Sequence, residues 1–540
     1  MSRLPLSQIL AQVWPKLEVD ASIASCIPSQ LCVDSRHIEK GGVFVALPGI
    51  GSHGAVFVGD AINSGALCVL MDENDINRLP TLSSLDSKKV VVVPDLSAKL
   101  PLFLPAFHPQ VATVKKVGVT GTNGKTTVSQ LVAQLSVLSG QDAGVIGTMG
   151  AGTFEFNDTQ QKAVFKPLIE TTNTTPHLVI NYQLMAQLAE KGAEKGAEIG
   201  AQLKTNLVAM EVSSIGIDQK RVDSLGFDVV IMTNLTQDHL DYHGDMQTYA
   251  QAKKQLFVDN PNAVMVLNMD DETASRWYKN FANNHQVIAV GQYRSERKLA
   301  RYLCYDQVHN TDAGFEFMLR SNEGDFKVNL PLFGQFNIAN ALCAMAAMVG
   351  LGVSVKVLAK KLSSLSAVDG RMECFDYYAA SAGKVKAIVD YAHTPDALDK
   401  ALGSLRQHCQ GQLWCIFGCG GDRDKQKRPL MAKAAQKWTD NIVVTNDNPR
   451  HELPQNIADD ICAGFSVGTQ VSVELDRKQA IANTLAQAND DDIVLIAGKG
   501  HETYQVFGDD VIKYDERAFV LQCCVESEAN KQANSSSVLC

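Results

Sequence analysis

With 540 residues, 45% of them apolar and 20% charged, the chain carries material for about three domains of ordinary size. A net charge of −10 argues against a nucleic-acid backbone or an anionic membrane as partner, so an anionic substrate must be met by local basic groups. No run reaches the roughly 18 apolar residues of a membrane helix, the N-terminus lacks a signal-peptide pattern, and 13 scattered cysteines read as reduced thiols. A cytoplasmic protein with no membrane and no nucleic-acid partner is expected.

Residues 1–112 form a first block. Val33, Asp34, Ser35 and Arg36 precede a buried-strand run bounded by Gly41-Gly42 and Pro48-Gly49. Ser35 and Arg36 read equally well as an anion-holding pair or as a turn with a solvated guanidinium.

A second block, 113–350, opens on the β-branched Val114, Val117 and Val119. It runs through Gly121, Thr122, Asn123, Gly124, Lys125, Thr126 and Thr127, then continues with Val128, Leu131, Val132, Leu135 and Leu138 at helical spacing. Strand, glycine-rich turn and helix start are the context of a phosphate loop. Backbone N–H groups and the helix N-terminus favour phosphate there, Lys125 would reach the terminal phosphates, and Thr126 or Thr127 would hold Mg²⁺. ATP is the expected nucleotide, although Val119 stands where the commonest spacing has its first glycine. Downstream, Asn173, Thr174, Thr175 and Pro176 make a polar turn, and 190–204 reads as a surface insertion. An apolar strand at 207–210 ends in Glu211, and a strand at 227–233 leads to Asp238, His239, Asp241 and His243. Acidic and imidazole groups at strand tips beyond a phosphate loop suit a metal site. Lys253 and Lys254, on the next helix, read on composition as surface charges. Asn337 and Asn340, near the start of an Ala/Met-rich helix, could cap it or meet a base.

In the third block, 351–523, Arg371 precedes a strand ending at Asp390. Further strands open into Gly418 through Arg423, into Asp447-Asn448-Pro449-Arg450, and into Gly498 through Glu502. Four apolar strands separated by helical patterns mean a parallel sheet, and their charged or Gly-rich carboxyl ends are where such sheets bind ligands. The expected fold is therefore α/β in three domains. The central one is a P-loop ATPase-like parallel or mixed sheet, and the C-terminal one a Rossmann-like parallel sheet with helices on both faces. Residues 524–540 read as a polar tail, disordered from Glu526.

Taken together these stretches resemble the Mur ligases of bacterial cell-wall synthesis, from Asp34 to about Arg517. The resemblance implies an ATP-dependent, amide-forming ligase that adds meso-diaminopimelate to UDP-N-acetylmuramoyl-L-alanyl-D-glutamate through an acyl phosphate, acting as a monomer on small molecules. It implies catalytic roles for Lys125, Glu211, His239 and Lys253. Lys253 matches a lysine that the family carbamylates, which reverses the surface reading, and Mg²⁺ would sit on Thr126, Glu211, His239 and carbamylated Lys253. Val33, Ser35, Asn173, Thr174, Thr175, Ser213, Gln219 and Arg221 match positions for the UDP-muramoyl dipeptide. Arg371, Asp390 and Asn337 match nucleotide contacts, beside the loop residues 121–127.

Arg423, Asp447, Asn448, Pro449, Arg450, Gly498 and Glu502 match positions for diaminopimelate, whose distal carboxylate Arg450 could pair bidentately. Three departures from the family pattern stand out: Ile215 after the paired serines, His177 after Thr-Thr-Pro, and Asn446 before the diaminopimelate run, where loss of an acid could weaken the orientation of Arg450.

Overall fold

The computed structural model describes residues 4–49, 51–79, 87–171, 173–198, 207–281, 286–295, 299–379 and 383–537. They cluster into two compact units, one running to Leu267 without Asp158–Lys162, the other comprising that segment and everything from Asn268. The division falls inside the block read as 113–350.

In the first unit, four short strands, β1 (Leu31–Cys32), β2 (Val43–Ala46), β3 (Cys68–Asp72) and β4 (Val90–Val93), pair in that order. Their registers are parallel throughout. Phe44, Val69 and Met71 pack there against Val58 and Ala61 of the helix Val58–Asn63. The larger sheet of this unit is built from β5 (Lys115–Thr120), β6 (Ala143–Gly147), β7 (Gly150–Asn157), β8 (Lys162–Ile169), β9 (Leu207–Glu211), β10 (Val229–Met232) and β11 (Val264–Asn268). Their order is β11-β10-β5-β9-β6-β7-β8. From β11 to β6 the pairing is parallel, and β7 returns antiparallel on β6. The tips of β5, β9 and β10 therefore end on one edge, and the crossover rule for parallel strands places their loops together there.

The second unit contains β12 (Val287–Gln292), β13 (Tyr302–Thr311), β14 (Gly314–Ser321) and β15 (Gly324–Leu330), the last three an antiparallel meander. The helix Phe336–Gly350 beside them is buried on nearly every side, as its apolar circumference requires. A six-stranded sheet follows, of β16 (Glu373–Tyr378), β17 (Lys384–Asp390), β18 (Leu413–Phe417), β19 (Asn441–Val444), β20 (Val471–Val473) and β21 (Ile493–Ala497), in the order β16-β17-β21-β18-β19-β20. All but β16 run parallel. Leu398, Leu405, Met431 and Ile461 pack on one face and Ile481, Leu485 and Val520 on the other, so helices cover both faces as the continuous apolar strands require. A small hairpin, β22 (Tyr504–Phe507) with β23 (Asp510–Lys513), lies beyond β21.

One expectation changes. The stretch read as disordered from Glu526 is the continuation of a helix, Glu516–Ser537. Val520, Cys524 and Ser527, spaced four and three apart, are buried, and Ser527 Oγ accepts a hydrogen bond from Tyr378 N at 3.0 Å. The short buried stripe is small and polar, so composition hid it. The insertion at 190–204 is helical to Glu198 within Leu178–Glu198, and its remainder lies outside the described residues.

Candidate active site

The turn between β5 and the helix Lys125–Leu138 can form because Gly121 and Gly124 take positive φ, 151° and 85°. A Cβ on Gly121 would stand 1.8 Å from Thr233 Oγ1. Asn234 braces the turn from the tip of β10: its Oδ1 accepts from Asn123 N at 3.0 Å and its Nδ2 donates to Asn123 O at 3.0 Å. Lys125 Nζ donates to Gly121 O and Thr122 O, both at 2.8 Å, so its ammonium lies over its own loop.

Glu211 is 2% exposed and fully engaged. Its carboxylate accepts from Thr126 Oγ1 at 2.9 Å, Thr148 N at 2.9 Å and Thr148 Oγ1 at 3.1 Å. Gly147 leaves room for it, since a Cβ there would sit 2.1 Å from Glu211 Oε1. Thr148 Oγ1 also lies 3.1 Å from Thr174 Oγ1. No local sequence signal singles out Thr148.

Lys253 is buried at 1% exposure, contrary to its surface reading on composition. Its Nζ donates to Gly121 O at 3.0 Å and lies 4.4 Å from the Tyr249 ring centroid. Burial, reinforced by Lys125, holds its amine well below the ordinary lysine range. Tyr249, one helical turn earlier on Met246–Val258, is a centre the sequence reading missed. Its hydroxyl meets Thr122 Oγ1 at 3.1 Å and its ring packs against His239 and His243, at 6.2 and 5.2 Å between centroids. The i, i+4 spacing from Lys253 is the signal that could have found it. His239 has a left-handed backbone, φ 52°, and its half-exposed ring lies 3.5 Å from Asp238. His243 turns instead to Ser214 Oγ at 2.9 Å.

Among the described residues no three His, Cys, Asp or Glu side chains converge as a metal site. A metal here would depend on the Thr126 hydroxyl and on a modified Lys253 as well as on Glu211 and His239. With a carbamate on Lys253 that set is mostly oxygen, which suits Mg²⁺.

Of the residues matched to the muramoyl dipeptide, Thr175, Ser213, Gln219 and Arg221 form one network around the tip of β9. Thr175 Oγ1 donates to Glu211 O at 3.0 Å and accepts from Ser213 N at 2.9 Å. Arg221 Nη1 donates to Thr175 O at 2.8 Å and its Nε to Gln219 Oε1 at 3.0 Å. Asn173 is exposed and Thr174 half-buried beside them. Val33 and Ser35 are half-buried in the first sheet's loop. Arg36 is exposed and pairs with Asp34 at 2.6 Å. His177 accepts from Val179 N at 3.3 Å as a helix-start cap, and Ile215 lies in the short helix Ser214–Asp218.

In the second unit Asn337 spends its amide locally. Nδ2 donates to Phe333 O at 2.6 Å and Oδ1 accepts from Asn340 Nδ2 at 2.8 Å, and neither bond caps a backbone N–H of the helix. Asp390, at the tip of β17, accepts from Met372 N and Ala392 N, each at 2.8 Å. Burial raises its carboxyl while Arg371 works against the rise. Arg371 lies over the Tyr391 ring, 4.4 Å from its centroid.

At the tip of β19, Arg450 takes φ 50° and Nη1 donates to Gly421 O at 2.8 Å. Asn446 donates to Leu475 O at 2.7 Å, while Arg450 Nη1 lies on the backbone carbonyls of Gly421 and Asn448. Asp447 and Asn448 are buried, 8% and 4% exposed. Gly498 adjoins Asp447, and Asn448 Nδ2 donates to Glu502 Oε2 at 3.1 Å. Pro449 is buried. Arg423 is exposed, with no ion pair among the described residues.

Beneath these tips lies a pair that sequence reading missed. Arg477 and Glu516 are both without accessible side-chain surface and form an ion pair. Arg477 also donates to Asn446 O at 3.1 Å and Ala497 O at 2.9 Å, tying β19 to β21.

A phosphate loop braced by a buried acid and a buried lysine, with a second parallel sheet bearing charged tips, defines a nucleotide-dependent α/β enzyme. Residues 119–348 match the Mur ligase middle domain and 370–500 the Mur ligase glutamate ligase domain. The chain is 40% identical over 93% of its length, and 95% of the relative's, to UDP-N-acetylmuramoyl-L-alanyl-D-glutamate–2,6-diaminopimelate ligase of Vibrio parahaemolyticus. It is 38% identical to the Haemophilus influenzae protein of the same name, covering 94% of this chain and 97% of that one. A solved structure bearing that name is 31% identical, with TM-score 0.63, over 96% of this chain and 99% of that one. The chain belongs to the Mur ligase family.

Proposed function

We propose that the protein is an ATP-dependent ligase that joins meso-diaminopimelate to UDP-N-acetylmuramoyl-L-alanyl-D-glutamate in peptidoglycan precursor synthesis, as a cytoplasmic monomer. The observation that carries this reading is the tip of β19. Asp447, Asn448 and Glu502 gather there with Arg450, whose Nη1 contacts Gly421 O. That grouping offers carboxylates to the ammonium and a guanidinium to the carboxylate of a zwitterionic end. Lysine has no distal carboxylate and would leave Arg450 unpaired.

In this reading Lys125 and the loop residues Gly121, Thr122, Asn123, Gly124, Thr126 and Thr127 hold the ATP phosphates, with Arg371 and Asp390 as further nucleotide contacts. Thr126, Glu211, His239 and carbamylated Lys253 would hold Mg²⁺, which would supply positive charge to offset the anionic substrates. Carbamylation joins the neutral Lys253 amine to CO₂ with loss of one proton. Thr175, Ser213, Gln219 and Arg221 orient the dipeptide, with Thr174, Asn173, Val33 and Ser35.

The D-glutamyl γ-carboxylate oxygen attacks the γ-phosphorus and ADP leaves, while Lys125 stabilises the charge spread over the transferring group. The diaminopimelate amine then attacks the acyl carbon, the C–O bond to phosphate breaks, and the amine proton is released. Arg423, Pro449 and Gly498 line the diamino-acid position with Arg450. Phosphate release with ATP and the UDP-dipeptide, adding diaminopimelate or L-lysine in turn, tests the reading. Release that depends on diaminopimelate is expected, and release that needs neither amino acid nor dipeptide overturns it.

A further inference from the structure

Lys499 has no accessible side-chain surface, yet it sits among the groups assigned above to the diamino acid. Its Nζ donates to Glu502 Oε2 at 2.9 Å and to Asn448 Oδ1 at 3.1 Å, with Asp447 Oδ1 at 3.9 Å. Asn448 closes the cluster. Its Nδ2 reaches the same Glu502 Oε2 at 3.1 Å and its Oδ1 also accepts from Val506 N at 3.1 Å. Two donors thus converge on one oxygen of Glu502. Among the described residues the other, Oε1, has one weak hydrogen bond, from the Tyr391 hydroxyl at 3.5 Å. Asp447, Glu502 and Lys499 together leave one uncompensated negative charge, which an incoming ammonium would match.

A buried lysine tied to two acids adds little net stability over an apolar side chain of similar size, but it fixes geometry. We propose that Lys499 is a positioning residue for diamino-acid recognition. By occupying Glu502 Oε2 and Asn448 Oδ1 it leaves Glu502 Oε1 for the substrate ammonium and holds the tips of β19 and β21 at one spacing. The proposal rests on the reading of these tips as the diamino-acid site. The rival is that Lys499 only neutralises buried acids and supports the fold.

The test is a double-mutant cycle of Lys499→Met and Glu502→Gln in the full-length enzyme, with phosphate release measured against diaminopimelate and, separately, against ATP. If Lys499 acts through Glu502, Lys499→Met raises KM for diaminopimelate about tenfold or more and leaves KM for ATP unchanged. In the Glu502→Gln background the same change then adds about twofold or less. Should Lys499→Met fail to fold, comparison of Glu502→Gln with the charge-balanced double variant decides on that last criterion alone. Equal shifts for ATP and diaminopimelate, or full additivity, overturn the proposal while a diaminopimelate-dependent parent keeps the ligase reading. A parent indifferent to diaminopimelate overturns both.

Discussion

The hydroxyl of Thr126 donates to the carboxylate of Glu211 over 2.9 Å, so the first turn of the helix behind the phosphate loop is joined to the tip of β9. Glutamine at 211 can keep its oxygen on Thr148 N and donate its amide N–H to the Thr126 and Thr148 hydroxyls, which can accept, while the charge is removed. Glu211→Gln should therefore fold normally and lose about a hundredfold or more in phosphate release, while metal-free nucleotide binding is retained. Calorimetric nucleotide titration alongside the activity assay checks it, and a variant with near-parental turnover would remove Glu211 from the catalytic set.

Lys253 combines deep burial with the nearby charge of Lys125, and both disfavour its ammonium and favour the nucleophilic amine. Growth of the enzyme's carbamate under carbon-13 bicarbonate should give a labelled carbonyl resonance that is absent from Lys253→Ala. Activity in the parent should fall on exhaustive removal of CO₂ and return on adding bicarbonate. An unlabelled, CO₂-indifferent parent would show that the amine works unmodified.

The phosphate loop, the parallel sheets and the strand-tip residues were legible in the sequence because each is a local pattern: glycine spacing, apolar runs, charge at a run's end. Thr148 and Tyr249 were not legible, since their importance comes from bonds to Glu211 and Thr122, made across 63 and 127 residues of chain. Composition placed Lys253 at the surface because lysines mostly lie there; burial of the helix face it shares with Tyr249, Leu256 and Phe257 decided otherwise. Helix in place of the tail has the same origin, in a stripe of Val520, Cys524 and Ser527 too small to register as apolar periodicity.

Arg450 couples a left-handed backbone to a guanidinium held by Gly421 O. A lysine there keeps one charge but loses the planar fork. Arg450→Lys should raise KM for diaminopimelate about tenfold and Arg450→Ala about a hundredfold, with KM for ATP unchanged. The preference over L-lysine as substrate should shrink in the same order. Initial rates at saturating ATP and dipeptide measure both; a preference unchanged in Arg450→Ala would move the specificity to another residue.

His108 sets an acid limit on the first unit's stability. It is 3% exposed, neither ring nitrogen has a hydrogen-bond partner among the described residues, and burial pulls its imidazole down to about 4. An unfolded chain takes up this proton near pH 6.5 and the folded one only near 4. The unfolded state therefore binds more protons throughout that window, and stability falls as pH falls through it. One proton gives at most about 1.4 kcal/mol per pH unit. His501, pulled by burial to about 3, adds a slope of the same sign in the second unit. His108→Phe keeps a ring between Phe107 and Tyr182, whose centroids lie 5.0 and 6.4 Å away, and removes both the proton and the unpaired nitrogens. The variant should match or exceed the parent's thermal midpoint at pH 7.5, and the gap should widen in its favour toward pH 5. A gap independent of pH would mean that His108 is protonated, or hydrated, in the folded protein.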